Sequence, residues 1–221
     1  MNELLVFFDV DTQVDFMLPR GRLYVQGAEQ LVPRLVRLMS WARAHQIAVI
    51  SSADAHTPDD PEFKIWPPHC VIGSPGQRRI PETQWAGAVV IPNRPGAFTP
   101  PARWAGQFIL EKSTYSSEGN PNFLGVLHAL GPRRAVVFGV ATEYCVRADA
   151  LALRAHGYPV DLVTDAIKPI TEEGGRKALK EMTAAGVRLV TTEEVCPPVT
   201  VQASEAETPK EPAQNAPDSN P

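Results

Sequence analysis

Short apolar runs alternate along this chain with longer segments in which apolar residues recur at helical spacing. A short and almost wholly apolar run is typical of a strand that is covered on both faces of its sheet. Such runs predict strands at residues 4–8, 47–50, 88–91, 108–110, 135–140, 160–163 and 187–190. The helical spacing predicts helices at residues 28–44, 144–156 and 171–185.

Strands and helices in this alternating order predict an α/β fold, a doubly wound and mostly parallel sheet with helices on both faces. We expect one domain over residues 1–198. Residues 199–221 are rich in Pro, Glu, Ala, Ser and Asn. They carry too little apolar surface to offset the entropy of ordering, so we expect a disordered C-terminal tail.

Bulk composition excludes several classes of protein. The chain has 221 residues, 43% of them hydrophobic, and a net charge of −4, so we expect neither a nucleic-acid partner nor a membrane partner. The adjacent pairs Arg78–Arg79 and Arg133–Arg134 indicate solvated surface charge. Three widely spaced cysteines argue against a disulfide framework and for a reducing compartment, and we expect a cytoplasmic location.

Polar clusters follow several of the predicted strands, and three of these clusters contain Asp11, Lys112 and Cys145. In parallel sheets the chemistry lies beyond the carboxyl ends of the strands, so these side chains are expected to meet there. Cys145 falls in the first turn of a predicted helix, where free N–H groups and the helix dipole favour a thiolate and suit an oxyanion. Asp11 is a candidate base for the thiol, and Lys112 a candidate partner for that carboxylate.

Structural explanations for the same three residues stay open. A lone cysteine is usually a small buried hydrophobe. An aspartate after a strand is often a turn residue, and a lysine is usually on the surface. Asp9 and Asp15 also compete with Asp11 as the candidate base, although Asp15 is the better candidate for fixing the loop.

A second constellation has the composition of a metal site. Asp54 and His56 lie two residues apart, and Glu62 and His69 follow in the same acidic, Pro-rich segment. Two imidazoles and two carboxylates suit a divalent first-row metal ion such as zinc, manganese or iron. A D-x-H triplet also occurs often by chance, but two of only five histidines in this one segment is less expected.

The chain resembles the nicotinamidases of the isochorismatase-like cysteine hydrolase superfamily. The matching segments are D-T-Q-V-D-F at 11–16, D-A-H at 54–56, W-P-P-H-C-V-I-G-S-P-G at 66–76, E-K-S-T-Y-S at 111–116 and G-V-A-T-E-Y-C-V at 139–146. The likeness extends from about residue 4 to residue 195. The combination of D-x-H with W-P-P-H-C is the part specific to nicotinamidase-like members.

This resemblance implies a six-stranded parallel sheet and assigns each candidate a role. The implied catalytic triad is Asp11, Lys112 and Cys145. The implied metal ligands are Asp54, His56 and His69, with Glu62 as a further ligand. The resemblance also implies a cis peptide bond before Ala141, with the backbone N–H groups of Ala141 and Cys145 directed at the oxyanion.

The implied activity is the metal-dependent hydrolysis of nicotinamide to nicotinate and ammonia, a step of NAD salvage, with pyrazinamide as a second substrate. Phe16, Trp66 and Tyr115 are then the expected walls of the site for the flat ring. A related hydrolase for another small amide or ureido substrate, and a non-catalytic binding protein, are the alternatives. A homodimer is a hypothesis that the sequence leaves open.

Overall fold

The computed structural model of the chain describes residues 4–96 and 104–198, and these residues form a sheet of seven parallel strands. The strands are β1 Leu5–Val10, β2 Ala48–Asp54, β3 Val89–Ile91, β4 Gln107–Lys112, β5 Arg134–Val140, β6 Val160–Lys168 and β7 Arg188–Val190. Their order in the sheet is β3-β4-β2-β1-β5-β6-β7, and every neighbouring pair is parallel. The predicted α/β fold is confirmed. The implied count of six strands is wrong, because all seven apolar runs form strands.

Six α-helices connect or follow these strands in the described part of the chain. They are α1 Val14–Met17, α2 Val32–Ala44, α3 Phe123–Leu130, α4 Arg147–Ala155, α5 Glu172–Ala184 and α6 Thr192–Val195. The hydrophobic pattern does not predict α3, because its sequence FLGVLHAL is nearly all apolar, contains a glycine and shows no polar face. A π-helical turn, Thr142–Val146, precedes α4 where the pattern predicts one continuous helix.

The core lies on both faces of the sheet. Successive side chains of a strand point to opposite faces, and the adjacent residues Phe7 and Phe8 are both fully buried for this reason. Phe8 belongs to the apolar cluster that includes α3 residues such as Phe123, whereas Phe7 belongs to the cluster that includes α2 residues such as Leu35. The helices therefore cover both faces, as a doubly wound sheet requires.

Strand order brings the predicted chemistry to one place. The four central strands β4, β2, β1 and β5 are neighbours, so their carboxyl ends share one edge. Lys112 and Asp54 are the last residues of β4 and β2, and they lie opposite each other in the register. Asp11 directly follows β1, and Cys145 lies in the π-helical turn after β5.

Two further points concern the C-terminal tail and membrane-spanning helices. The tail expected to be disordered, residues 199–221, lies outside the described residues. Within residues 4–96 and 104–198, every helix is too short or too polar to cross a membrane.

Candidate active site

The structure brings Asp11, Lys112 and Cys145 into contact. The Lys112 ammonium lies 2.8 Å from Asp11 Oδ2 and 3.6 Å from Cys145 Sγ. It also forms an ion pair with Asp54 Oδ1. Asp11 and Lys112 are fully buried, and Cys145 is 7% exposed at the wall of a pocket. The three residues predicted from distant segments therefore form one cluster.

Burial and neighbouring charges shift the pKa values of the residues in this cluster. Burial lowers the pKa of the Lys112 ammonium, but the carboxylates of Asp11 and Asp54 outweigh burial and raise that pKa well above its usual value. Burial raises the pKa of the Asp11 carboxyl, while Lys112 opposes this rise. A buried carboxylate with a raised pKa is a better proton acceptor than an exposed one.

The thiol of Cys145 differs from the sequence expectation. Burial raises its pKa well above the usual value, although Lys112 acts in the opposite direction. The sequence argument considered only the helix start, and in the structure burial acts against the thiolate. Cys145 also lies in a π-helical turn, in which Tyr144 N and Val146 N both donate to Ala141 O. The peptide bond between Val140 and Ala141 is cis, as the resemblance implies.

Hydrogen bonds hold Asp11 in one orientation. Ser52 Oγ donates to Asp11 Oδ1 over 2.6 Å, and Asp11 N donates to Ser52 Oγ over 3.1 Å. Asp11 has a φ of +48°, a left-handed conformation that aspartate tolerates better than most residues. Of the competing aspartates, Asp15 accepts from Cys70 N and Arg22 N, which confirms the interpretation that it fixes the loop. Asp9 lies in β1 and pairs with Arg79.

Three of the four predicted metal-binding residues converge. Asp54 Oδ2 lies 3.6 Å from His56 Nε2 and 3.6 Å from His69 Nε2. The Nδ1 atoms of the two histidines are already engaged, with Asp60 Oδ2 at 3.0 Å and with Pro67 O at 2.8 Å. This arrangement directs both Nε2 atoms to the same point, as ligating histidines require.

The donor set fits a divalent metal ion. Among the described residues, His56 Nε2 is a buried polar atom that has no hydrogen-bond partner. One potential ligand atom from each of Asp54, His56 and His69 lies within 4.8 Å of the others. Two imidazoles and a carboxylate match the ligands of zinc and similar first-row ions. A cation at this point would satisfy the buried nitrogen.

Glu62 lies at the margin of this group. Its Oε1 is 3.9 Å from His69 Nε2, and it lines the same pocket. It belongs to a second possible ligand set with His56 and Asp60. Asp60 was not a predicted site residue, although an acidic residue four positions after His56 is a signal that the sequence offers.

The predicted ring walls line one pocket together with Cys145, Asp54 and His69. Trp66 Nε1 donates to Tyr115 OH over 3.0 Å, and Tyr144 packs against both rings at centroid distances of 5.3 and 5.4 Å. Phe16 lines the same pocket. The sequence did not single out the other lining residues, Leu23, Val25, Val140, Tyr144 and Ile170. Among the described residues that line this pocket, none is a lysine or an arginine.

The burial of two charged residues was not predicted from the sequence. Arg79, expected on the surface, is only 8% exposed and pairs with Asp9. Asp149 is fully buried and accepts hydrogen bonds from Ser117 N at 2.6 Å and from Ser117 Oγ at 3.0 Å. Burial raises the pKa of the Asp149 carboxyl to about 7. An isolated charged residue within an apolar or loop segment gives no sequence signal of its partner.

Comparisons with known proteins give the family of this chain. The family model described as Isochorismatase domain matches residues 4–194. The "Nicotinamidase/pyrazinamidase" of Mycobacterium tuberculosis is 29% identical over 188 residues, which cover 82% of this chain and 95% of that protein.

Two solved structures share the fold over most of their length. A pyrazinamidase of Pyrococcus horikoshii in complex with zinc is 28% identical, with a TM-score of 0.71, over 85% of this chain and 99% of that one. The protein PnC1 of L. infantum in complex with nicotinate is 26% identical, with a TM-score of 0.71, over 87% and 95%. These relatives support the expectation of an amidohydrolase. Since the family model spans most of its length, the chain belongs to the isochorismatase family of hydrolases.

Proposed function

We propose that this protein is a metal-dependent cysteine amidase that hydrolyses nicotinamide to nicotinate and ammonia. One observation carries the proposal. The Lys112 ammonium contacts Asp11, Cys145 and Asp54, so the candidate triad and the candidate metal ligands are joined through one buried cation. Cys145 of the triad and Asp54 and His69 of the metal ligands line a single pocket with aromatic walls. The relatives named above are consistent with this activity.

Asp11 and Cys145 perform the covalent chemistry in this proposal. The Asp11 carboxylate takes the proton of the Cys145 thiol, and the sulfur attacks the carboxamide carbon. The backbone N–H groups of Ala141 and Cys145 receive the developing oxyanion. Asp11 then gives its proton to the departing amine, which leaves as ammonia and leaves a thioester. A water attacks the thioester and gives a proton to Asp11, and Asp11 returns that proton to the departing Cys145 sulfur. The free thiol is regenerated, and the acid product leaves and ionises to nicotinate.

Lys112 keeps Asp11 ionised between these steps. Its ammonium lies 2.8 Å from the carboxylate and is itself held by Asp54. An ammonium of raised pKa stays charged while the proton moves between sulfur and carboxylate. Removal of this charge would favour the protonated form of Asp11, which cannot accept the thiol proton.

Asp54, His56 and His69 would hold the metal ion, with Glu62 as a further ligand. Zinc, manganese and iron all suit this donor set. Bound there, the ion would supply a positive charge that attracts the ring nitrogen of the substrate and orients the carboxamide toward Cys145.

The pocket favours an uncharged, flat substrate. Phe16, Trp66 and Tyr115 present ring surfaces, and none of the described lining residues is a lysine or an arginine. An amide that also carries a carboxylate would lose hydration on entry and would find no lysine or arginine side chain among these lining residues. Nicotinamide and its near isostere pyrazinamide meet the requirement.

The test is ammonia release from a panel of amides by enzyme of measured metal content. Nicotinamide and pyrazinamide should be hydrolysed, and an amide carrying a carboxylate should not. Full nicotinamide hydrolysis after exhaustive metal removal would contradict the role of the metal. Hydrolysis confined to another amide or to a ureido compound would instead favour the alternative of a related hydrolase with the same triad.

A further inference from the structure

A buried ion pair lies behind the candidate base and outside the pocket. Arg79 pairs with Asp9, and both side chains are at most 3% exposed. Neither residue is among those that line the pocket. The mechanism above uses neither residue, so their presence in the interior needs a separate explanation.

Arg79 distributes its donors over three segments of the chain. Its Nη1 donates to Ser52 O over 2.9 Å, and its Nη2 donates to Thr83 Oγ1 over 3.1 Å. Nη2 also contacts Thr12 Oγ1, which in turn donates to Asp9 Oδ1 over 3.0 Å. One guanidinium therefore links β2 to the segment that follows β1.

Both ends of this network lead to Asp11. Thr12 is the next residue along the chain, and Ser52 donates its hydroxyl to Asp11 Oδ1 over 2.6 Å. Ser52 Oγ also receives the backbone N–H of Asp11 at 3.1 Å. Arg79 thus contacts Thr12, which follows Asp11 in the chain, and Ser52, which binds the Asp11 carboxylate, without touching that carboxylate itself.

Packing alone does not explain this pair. Two apolar residues of similar volume would fill the same space, and replacement of a buried ion pair by apolar residues is often neutral or stabilising. Rate, in contrast, is sensitive to the placement of reacting groups, and a displacement of about 1 Å can cost roughly 100-fold. We propose that Arg79, together with Asp9, is a positioning residue for Asp11, acting through Ser52 and Thr12. The inference rests on the proposed function, since it takes Asp11 as the base.

The decisive variant replaces the pair as a unit. Asp9→Leu/Arg79→Met removes both charges and puts apolar side chains of roughly similar shape in their place. The remaining hydroxyls keep partners, because Thr12 Oγ1 and Thr83 Oγ1 lie 2.7 Å apart and Gln107 Nε2 donates to Ser51 Oγ over 2.8 Å. We expect this variant to fold, with a melting temperature equal to or above that of the parent. Its kcat on nicotinamide should fall roughly 10- to 100-fold with little change in KM, since the pocket walls are intact.

A second readout does not depend on the substrate. Alkylation of Cys145 by iodoacetamide at one fixed pH reports how well the thiol proton is removed, whichever amide the enzyme hydrolyses. The double variant should be alkylated at least about 10-fold more slowly, by the same argument from placement. If the parent fails to hydrolyse nicotinamide but the alkylation rate falls as expected, the proposed substrate is wrong and the positioning role stands.

Milder variants cover the case in which the double variant does not fold. Thr83→Val removes one hydroxyl partner of Arg79 at constant shape, and it should slow alkylation in the same direction with a smaller effect. Arg34→Met is the matched control, because Arg34 pairs with Asp165 at the surface and should leave both rates unchanged. A folded double variant with parental kcat and parental alkylation would overturn the proposal. If only Thr83→Val folds, parental rates in that variant would overturn it equally.

Discussion

Asp54 and Lys112 face each other across the paired ends of β2 and β4 and form a buried ion pair. Asp54 belongs to the candidate metal ligands, and Lys112 to the candidate triad. Parallel register therefore joins two groups that lie 58 residues apart in the sequence. The arrangement predicts that each group depends on the other for its charge balance.

Lys112→Met tests this dependence. The change leaves the carboxylates of Asp11 and Asp54 buried without their common cation, and loss of one partner of a buried pair costs about 3–5 kcal/mol. We expect the free energy of unfolding, measured by urea denaturation, to fall by this amount and amidase activity to be lost. Lys180→Met on the exposed face of α5 is the control and should change neither quantity. Parental stability in the Lys112 variant would show that the ammonium does not hold the two acids.

A metal-affinity prediction concerns Asp60, whose carboxylate accepts from His56 Nδ1 at 3.0 Å. Loss of such a contact to a ligating histidine typically lowers metal affinity 10- to 100-fold. We expect Asp60→Ala to weaken zinc binding by roughly this factor in a titration against a chelator. The adjacent, exposed Asp59 provides the control, and Asp59→Ala should bind zinc as the parent does. Equal affinities in the two variants would remove Asp60 from the site.

The three cysteines should differ in reactivity. Cys145 lines the pocket, whereas Cys70 and Cys196 are fully buried and do not line it. Iodoacetamide should therefore modify Cys145 first, as mass spectrometry of digested protein can measure. Cys145→Ala should lower the turnover of nicotinamide by at least about 10³-fold, because the nucleophile is absent. Preferential labelling of Cys70 or Cys196 would contradict the assignment.

Strand ends were the part of the site that the sequence could predict. Asp11, Asp54 and Lys112 each stand at the end of an apolar run, and the rule for parallel sheets is enough to bring them together. Cys145 required only the further step that a helical turn follows β5. The sheet has one strand more than the family resemblance implied. The hydrophobic pattern had identified all seven strands, including the short edge strands β3 and β7.

Buried contacts between residues that are distant in the sequence could not be predicted in the same way. Asp9 and Arg79 are 70 residues apart, and Ser117 and Asp149 are 32 apart. In the sequence, Arg79 and Asp149 look like surface charges until the fold brings a buried partner against each. The effect of burial on the pKa of Cys145 could not be predicted for a related reason, since the local effect of a helix start is visible in the sequence and the depth of burial is not.

Asp149 makes stability depend on pH in a predictable direction. Burial raises its pKa in the folded state from 3.8 to about 7. The folded protein therefore keeps a proton that the unfolded chain has already lost, so stability is greatest below about pH 4 for this group and declines as the pH rises toward 7. Asp149→Asn keeps the acceptor for Ser117 N and removes the titration. We expect the variant to gain stability relative to the parent at pH 8 but not at pH 4, as urea midpoints at both values would show. Asp59→Asn, at an exposed position, should have the stability of the parent at both pH values. If the stability of Asp149→Asn changes with pH as much as that of the parent, the Asp149 carboxyl does not control the pH dependence.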